Sequence, residues 1–272
     1  MNLPPEGSST YHASNGEAYD YWLGRWARRL AQVFLDFVEF PSAGDILDVG
    51  CGTGALTFAM TQRWPDRRVV GVDLAPPFIA YARSRKSGEQ PTFEIGDACA
   101  LPYDDGRFAA AATQLVLMFI PRPEVALREI RRVTRPGGTI AAALWDFRGG
   151  LVFQRLLWDT ASAIDPEARV TRNRLFTCPL VLPGGLPDLF RASGLADIKT
   201  TSLTIRMDFA NFDDYWQPFL GGQGPVGTYF ANLAPGLKTR IKEAVRDAYQ
   251  CGAADGPRSL TATAWAVRAT VP

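Results

Sequence analysis

Short apolar runs and longer amphipathic stretches alternate along the middle of the chain. The runs at 46–49, 69–73, 92–95, 108–115 and 139–145 predict buried strands, because each is short, apolar and followed by turn residues. The stretches at 54–63, 76–86 and 123–134 have helical spacing, and two of them begin near proline. Strands that alternate with helices in this way predict a parallel sheet covered on both faces.

The flanking segments have different patterns. Residues 21–40 place their apolar side chains on one helical face. Residues 148–185 and 208–258 are rich in glycine, proline and aromatic residues, and we expect irregular insertions over the ligand-binding edge of the sheet. Between and after them lie a predicted helix at 187–193 and predicted strands at 198–206 and 261–268.

Composition narrows the possible classes of protein. The 272 residues are 47% hydrophobic and 21% charged, which is typical of a globular fold, and the formal net charge of +1 argues against nucleic acid as a partner. The four scattered cysteines lack zinc or redox spacing, so we expect a reducing compartment and no metal. No secretory signal or apolar run long enough for a membrane span is visible, so the expectation is a soluble cytoplasmic protein whose oligomeric state stays open.

One glycine-rich turn stands out, DVGCGTG at residues 48–54. Its third glycine comes one residue too early for the dinucleotide pattern G-x-G-x-x-G, and no Lys-Ser/Thr pair follows as in a P-loop. An acid at the end of the preceding strand disfavours a phosphate ligand. It suits a ligand with a positive charge, such as an ammonium group.

The turn is similar to the first motif, D/E-x-G-x-G-x-G, of class I S-adenosylmethionine-dependent methyltransferases. The resemblance continues in VVGVDLAPPFIAYAR (69–83), FEIGDACALPYDDGRFAAAATQLVLMF (93–119) and LREIRRVTRPGGTIAAALWDF (127–147). It looks like the small-molecule branch, which includes the ubiquinone- and menaquinone-biosynthesis type. It implies a doubly wound, mostly parallel seven-stranded Rossmann-like sheet with an antiparallel last strand and a helical and loop cap. The implied reaction is methyl transfer from S-adenosylmethionine to a small organic acceptor by in-line displacement.

The resemblance also implies a division of the chain and a set of cofactor contacts. Residues 1–40 would form a lid segment and helix, 41–147 the cofactor-binding core, 148–185 and 208–258 the cap, and 186–207 and 259–272 the remainder of the sheet. Asp73 would bind the ribose hydroxyls and Asp97 the adenine amino group. The other implied cofactor residues are Arg25 at the methionine carboxylate, Asp48 at the ammonium group, Gly50, Cys51, Gly52 and Gly54 in the turn, Leu74 and Ala98 beside the adenine, and Gln114 near the methionine moiety.

No catalytic residue is assigned from the sequence. His12 is the single histidine and lies in a polar segment, so we expect it to be solvated and not to act as a general base. The formal G-x-G-x-x-G match at 222–227 lacks a preceding strand and contains a proline, so we expect a flexible loop bordering the pocket. The residues expected to wall the acceptor pocket are Tyr21, Trp145, Trp158, Tyr215 and Trp216.

Two other functions stay open on the sequence alone. One is a nicotinamide-dependent oxidoreductase on a similar sheet, and the other is a cofactor-binding module without transfer activity. Comparing the binding of S-adenosylmethionine with that of NAD distinguishes a methyltransferase from the oxidoreductase. Measuring turnover with a panel of acceptors distinguishes it from a binding module without transfer activity.

Overall fold

The computed structural model describes residues 9–11, 13 and 15–272, and the centre of this part of the chain is a seven-stranded sheet. Its strand order is β3-β2-β1-β4-β5-β7-β6. The five strands from β3 to β5 pair in parallel, whereas β7 is antiparallel to both of its neighbours. This confirms the predicted fold class. The strands are β1 (Ile46–Val49), β2 (Val69–Asp73), β3 (Thr92–Ile95), β4 (Phe108–Gln114), β5 (Thr134–Trp145), β6 (Ala196–Phe209) and β7 (Arg258–Thr270).

Helices connect the strands and fill the two segments expected to be irregular. A π-helical turn, Asp20–Gly24, joins the first two helices, so the predicted single helix at 21–40 is wrong at both ends. The helices are α1 (Gly16–Tyr19), α2 (Arg25–Phe37), α3 (Ala55–Arg63), α4 (Pro76–Ser84), α5 (Pro123–Val133), α6 (Val152–Ile164), α7 (Pro166–Phe176), α8 (Gly185–Ala192), α9 (Phe212–Trp216), α10 (Gly224–Ala231) and α11 (Pro235–Gln250).

The two faces of the sheet bury separate apolar layers. On one face, Phe34 of α2 and Met60 of α3 pack against Ile46 and the alanines of β4 and β5. On the other face, the apolar sides of α5 and α8 pack against β1, β4 and β7. Every residue of β1 and of β4 is buried, as expected for central strands covered on both sides.

A third apolar cluster joins the N-terminal helices to α6, α7, α9, α10 and α11, and we call these last five helices the cap. Glycine, proline and aromatic content predicted irregular structure here, but Pro166, Pro225 and Pro235 stand in the first turns of α7, α10 and α11. A missing N–H costs no hydrogen bond at such positions. Gly224 and Pro225 begin α10 in this way, so the expected flexible loop at 222–227 is corrected: its last four residues are helical.

Two strands extend beyond their predicted limits. β5 begins at Thr134, before the predicted start at 139, because Thr134 pairs with Phe108 across a register shift. β6 and β7 pair from Ala196↔Thr270 to Phe209↔Arg258, a ladder that continues past both predicted strands. The division into core and cap segments at the residue limits given above stays a prediction.

Gly71 of β2 tests how tightly the sheet packs behind the glycine turn. A Cβ atom there would lie 2.9 Å from Thr57 Oγ1 and 3.0 Å from Cys51 Cβ. We expect Gly71→Ala to lower the free energy of unfolding by about 1–3 kcal/mol, the usual cost of overpacking. Gly236→Ala on α11, where nothing lies within 4 Å, is expected to raise it by about 0.4–1 kcal/mol. Urea unfolding measures both, and equal stabilities would contradict this packing.

Candidate functional site

The turn between β1 and α3 has a backbone that only glycine adopts easily. Gly50, Gly52 and Gly54 have φ values of 72°, 54° and 88°, in the region that side chains with a Cβ rarely enter. A Cβ at Gly54 would lie 2.9 Å from Phe93 Cζ, so this glycine is also needed for packing. At Gly52 the nearest atoms would be 4.0 Å away, on Phe78 and Tyr19, so this face of the turn opens to a cavity.

Asp73, the last residue of β2, holds this turn in place. Its Oδ2 accepts a hydrogen bond from Gly52 N at 2.8 Å, and its Oδ1 accepts one from Ala75 N at 2.8 Å. Burial raises the pKa of Asp73, and the two backbone hydrogen bonds oppose that rise. The carboxylate therefore fixes the turns after β1 and β2 relative to each other.

Asp48 lies behind the turn and is only 1% exposed. Thr57 Oγ1 donates a hydrogen bond to Asp48 Oδ2 at 2.6 Å, whereas Oδ1 has no partner among the described residues. Burial raises the pKa of Asp48 to about 7, the Thr57 hydrogen bond lowers it, and the nearby charge of Asp73 raises it further. The structure thus contains a buried carboxylate whose proton is released near neutral pH.

A cavity of about 570 Å³ lies at the carboxyl ends of the parallel strands. One part of its wall follows β1 to β4, where Asp73 and Asp97 are the charged residues among the described lining. The other part is apolar and comes from the N-terminal helices, the end of β5 and the cap. The first group comprises Gly50, Gly52, Asp73, Leu74, Ala75, Phe78, Gly96, Asp97, Ala98 and Gln114; the second includes Tyr19, Trp22, Leu23, Met118, Trp145, Phe147, Gln154, Leu175 and Val226.

Aromatic rings connect the two parts of the wall. The ring of Tyr11 lies 5.0 Å from that of Phe119, and the ring of Tyr19 lies 4.9 Å from that of Phe78. Thr10 N donates to Phe119 O at 2.7 Å, which ties the N-terminal segment to the chain after β4. Burial raises the pKa values of Tyr11 and Tyr19 above their ordinary value, so both phenols stay protonated at neutral pH.

Most of the predicted cofactor residues lie together at this cavity. Three others, Asp48, Cys51 and Gly54, are buried behind the lining and do not belong to it. Burial also raises the pKa of the Cys51 thiol, which keeps it protonated. The predicted residues that line the cavity are Gly50, Gly52, Asp73, Leu74, Asp97, Ala98, Gln114 and, from the acceptor set, Trp145. Their ligand contacts stay predictions.

Arg25 is placed differently from its prediction. It is absent from the described cavity lining, its Nη1 lies 2.8 Å from Asp214 Oδ1, and its guanidinium lies 4.3 Å from the Trp26 ring centroid. An ion pair and a cation–π contact therefore hold the side chain against the cap. The expected pairing of Arg25 with a methionine carboxylate stays a prediction.

Four of the predicted acceptor residues also lie elsewhere. Tyr21 is 56% exposed. Tyr215 is buried in the cap, where its hydroxyl donates to Phe153 O at 2.7 Å. Trp216 stacks on Phe212, and Trp158 packs on Tyr229, so the apolar area of both indoles is used within the cap core. The cap helices turn the rings of Trp158, Tyr215 and Trp216 inward, whereas Tyr21 faces outward from the π-helical turn. A contact of these four residues with an acceptor stays a prediction.

Sequence reasoning missed several residues that line the cavity. Trp22 and Leu23 fell within the predicted lid segment but were not named as residues of the pocket, and Phe147 was seen as a residue just beyond a strand. Gln154 carried a usable signal, because it shares a helical face with Leu157, Trp158 and Ala161, all of which are buried. A polar residue on such a face marks either a core hydrogen bond or a site. His12 lies outside the described residues.

Two other kinds of site are absent from the described part of the chain. No helix in it is long and apolar enough to cross a membrane. No group of three or more His, Cys, Asp or Glu residues in it is arranged to hold a metal ion.

The fold and the cavity together define an α/β enzyme with a small-ligand site at the carboxyl edge of a parallel sheet. Residues 47–142 match the family described as "Methyltransferase domain". The chain is 34% identical over 171 residues to a demethylmenaquinone methyltransferase of Roseiflexus castenholzii, covering 58% of this chain and 70% of that protein. It is 30% identical to a nocamycin O-methyltransferase of Saccharothrix syringae, covering 66% of this chain and 69% of that protein.

A solved structure supports the same fold. Phosphoethanolamine N-methyltransferase 2 of Haemonchus contortus, in complex with S-adenosyl-L-methionine, superposes with a TM-score of 0.58 and 16% identity, over 94% of this chain and 56% of that one. The chain belongs to the class I S-adenosylmethionine-dependent methyltransferases. It is an enzyme that takes S-adenosylmethionine as its cofactor and transfers a methyl group to a small molecule.

The turn itself fits such a cofactor. Gly52 leaves open space between its Cα and the rings of Phe78 and Tyr19, where a side chain would otherwise project into the cavity. Asp73 presents a buried carboxylate at the end of β2, next to that space. S-adenosylmethionine consists of an amino acid joined to a nucleoside. A bare backbone lets the turn approach such a ligand closely, and a carboxylate oxygen can accept hydrogen bonds from its ribose hydroxyls.

The buried carboxylate of Asp48 makes a prediction about stability. Its pKa is raised to about 7 in the folded protein, whereas an unfolded aspartate titrates near 3.9. The folded state therefore keeps a proton that the unfolded chain has lost, so Asp48 lowers stability progressively as the pH rises from about 4 to about 7. Asp48→Asn cannot ionise. We expect its melting temperature, relative to wild type, to increase between about pH 5 and about pH 8.

Thermal unfolding of the ligand-free protein across this pH range measures the effect. The exposed Asp66 provides the control, because Asp66→Asn should leave a difference from wild type that does not change with pH. A constant difference for Asp48→Asn would show that Asp48 does not titrate in this range.

Proposed function

We propose that the methyl acceptor of this enzyme is an uncharged, largely apolar molecule. The observation that carries the proposal is the asymmetry of the cavity wall. Among the described lining residues, the charged side chains are Asp73 and Asp97, both next to the glycine turn. The opposite part presents Trp22, Leu23 and Trp145, together with other apolar side chains.

Burial of a charged acceptor in that part would be unfavourable. A phosphate or carboxylate taken out of water needs a cation or several hydrogen-bond donors, and a pocket for phosphate usually contains arginine or lysine. The described lining contains no arginine and no lysine. An apolar ring or chain, by contrast, gains roughly 25 cal/mol for each Å² that it removes from water.

The name of one relative agrees with this class of acceptor, because the Roseiflexus castenholzii protein is named for a quinone. The Saccharothrix syringae relative is named for transfer to an oxygen of nocamycin. We propose an acceptor of similar apolar character for this chain. Its identity and the atom that receives the methyl group are not specified by these names.

We propose that the turn and Asp73 hold the cofactor. Asp73 Oδ1 and Oδ2 each accept one backbone hydrogen bond, and a carboxylate oxygen can accept a second. These oxygens would accept hydrogen bonds from the ribose hydroxyls, and Gly50 and Gly52 would let the backbone approach the methionine part. When bound, S-adenosylmethionine supplies a methyl group activated by its sulfonium. Trp22, Leu23 and Trp145 would exclude water and orient the acceptor's nucleophile toward it.

The apolar part of the cavity, where the acceptor would bind, offers no strong base among the described residues. Its titratable groups are the phenols of Tyr11 and Tyr19, and burial keeps both protonated. Positioning therefore has to supply most of the rate enhancement, for which about 7–11 kcal/mol is available in well-aligned reactions. We propose an acceptor whose nucleophile is already electron-rich, such as a phenol, an enol or a hydroquinone. Transfer forms the bond from this nucleophile to the methyl carbon, breaks the methyl–sulfur bond to leave S-adenosylhomocysteine, and releases the acceptor's proton to water.

The cellular setting is part of the proposal. The four cysteines are free thiols, which suits the reducing cytoplasm. The net charge of +1 supports an enzyme that acts on free small molecules and not on nucleic acid.

A panel of acceptors tests the proposed function. We expect transfer of radiolabelled methyl groups from S-adenosylmethionine to 1-naphthol or, under anaerobic conditions, 1,4-dihydroxynaphthalene. We expect none to phosphoethanolamine, because the acceptor end of the described cavity offers its phosphate no cation. Transfer to phosphoethanolamine without transfer to either aromatic acceptor would contradict the proposal.

Replacement of Asp73 tests the proposed cofactor contact. We expect Asp73→Ala to weaken binding of S-adenosylhomocysteine by about 1.5–3 kcal/mol, the range for hydrogen bonds to a charged group. Calorimetry measures the affinity, and urea unfolding checks that the fold survives the loss of the acceptor for Gly52 N and Ala75 N. The control is Asp213→Ala, at an exposed residue of the cap, which should bind as wild type does. Unchanged affinity in folded Asp73→Ala would restrict this residue to shaping the turn.

A further inference from the structure

Gln154 is an unusual residue in the apolar part of the cavity. It lies in the first turn of α6, is only 4% exposed and lines the cavity. Its backbone N–H donates to Leu151 O at 3.1 Å. Its side-chain amide makes no hydrogen bond with any residue that the structure describes.

The Gln154 amide opens onto the cavity. Gln154 is buried as a residue, but its amide atoms are not among the described side-chain N and O atoms that are wholly buried without a partner. Placing such a group in a largely apolar wall without a protein hydrogen bond still costs free energy. Leucine or methionine at this position would continue the apolar face formed by Leu157, Trp158 and Ala161 and avoid that cost. A polar group kept there against stability is typical of a binding site.

We propose that Gln154 is a specificity residue that hydrogen-bonds an uncharged oxygen of the acceptor, a hydroxyl or a carbonyl. The inference rests on the proposed function, because it assumes that the acceptor occupies the apolar part of the cavity. The amide has both a donor NH2 group and an acceptor oxygen, so it can bind either kind of oxygen. It carries no charge, which matches a neutral acceptor.

The position of Gln154 separates it from the cofactor residues. Gln154 belongs to a cap helix, whereas Asp73 and Asp97 belong to the strand ends. Trp145 and Leu175, which also line the cavity, present apolar surface from β5 and α7. The acceptor's ring would pack on such surfaces, and the amide would select ligands that place an oxygen toward α6. Gln154 thus sets specificity and orientation without taking part in bond making.

Two probes of matched shape test the inference. 1-Naphthol and 1-methylnaphthalene differ by a hydroxyl in place of a methyl group, and both are titrated calorimetrically into protein saturated with S-adenosylhomocysteine, so that no transfer occurs. For Gln154→Met, a substitution of nearly equal volume, we expect naphthol to bind about two- to tenfold more weakly, as for the loss of one neutral hydrogen bond. The affinity for methylnaphthalene should not fall. The control is Gln32→Met at an exposed position of α2, which should leave both affinities unchanged.

The thermal stability of the ligand-free variants gives a second readout. We expect Gln154→Met to melt at or above the wild-type temperature, because it removes from a largely apolar wall a polar group that has no partner among the described residues. A lower melting temperature, with both probes weakened equally, would show that Gln154 has a structural role and overturn the inference. Unchanged preference for naphthol in Gln154→Met would also overturn it, although the proposed apolar acceptor would stand. If wild type bound S-adenosylhomocysteine but neither probe, the proposed acceptor class itself would be wrong.

Discussion

The site depends on one hydrogen bond, from Gly52 N to the carboxylate of Asp73. It joins the turns that follow two adjacent parallel strands, and Gly52 makes this 2.8 Å bond with its backbone at a positive φ of 54°. A residue with a side chain would both resist that conformation and fill the space beside Phe78 and Tyr19. The bare turn and the buried carboxylate are therefore parts of one arrangement, and the cavity exists because of it.

The other part of the cavity is built by elements that pack against the sheet edge and not by the sheet alone. The N-terminal segment is tied to the chain after β4 through Thr10 and Phe119, and the cap adds Leu175 and Val226. The cap shares an apolar cluster with the N-terminal helices, and Trp158 and Trp216 are buried in it. Most of the large side chains of the cap are therefore used in packing, and a few, such as Leu175 and Val226, face the cavity.

The sequence was informative where local pattern and topology agree. Strands β1, β2 and β3 have the predicted limits, since short apolar runs bounded by turns leave little choice. The family resemblance implied that Asp73, Asp97 and Gln114 serve one cofactor, and they line one cavity at the carboxyl edge of the parallel strands.

The cap could not be predicted in the same way. Aromatic residues there indicate burial, but whether a ring faces the cap core or the cavity depends on how α6, α9 and α10 pack. Trp145 lines the cavity, whereas Trp158 and Tyr215 do not. Arg25 likewise pairs with Asp214, a residue far away in sequence, which no local pattern reveals.

A crystal structure of the complex with S-adenosylhomocysteine tests the central claim most directly. The account predicts that the ribose hydroxyls lie within hydrogen-bond distance of Asp73, that the amino-acid part lies along Gly50 and Gly52, and that the part of the cavity beside Trp22, Trp145 and Gln154 stays free for the acceptor. A ligand whose ribose is bound away from Asp73, or that fills the apolar part of the cavity, would contradict it.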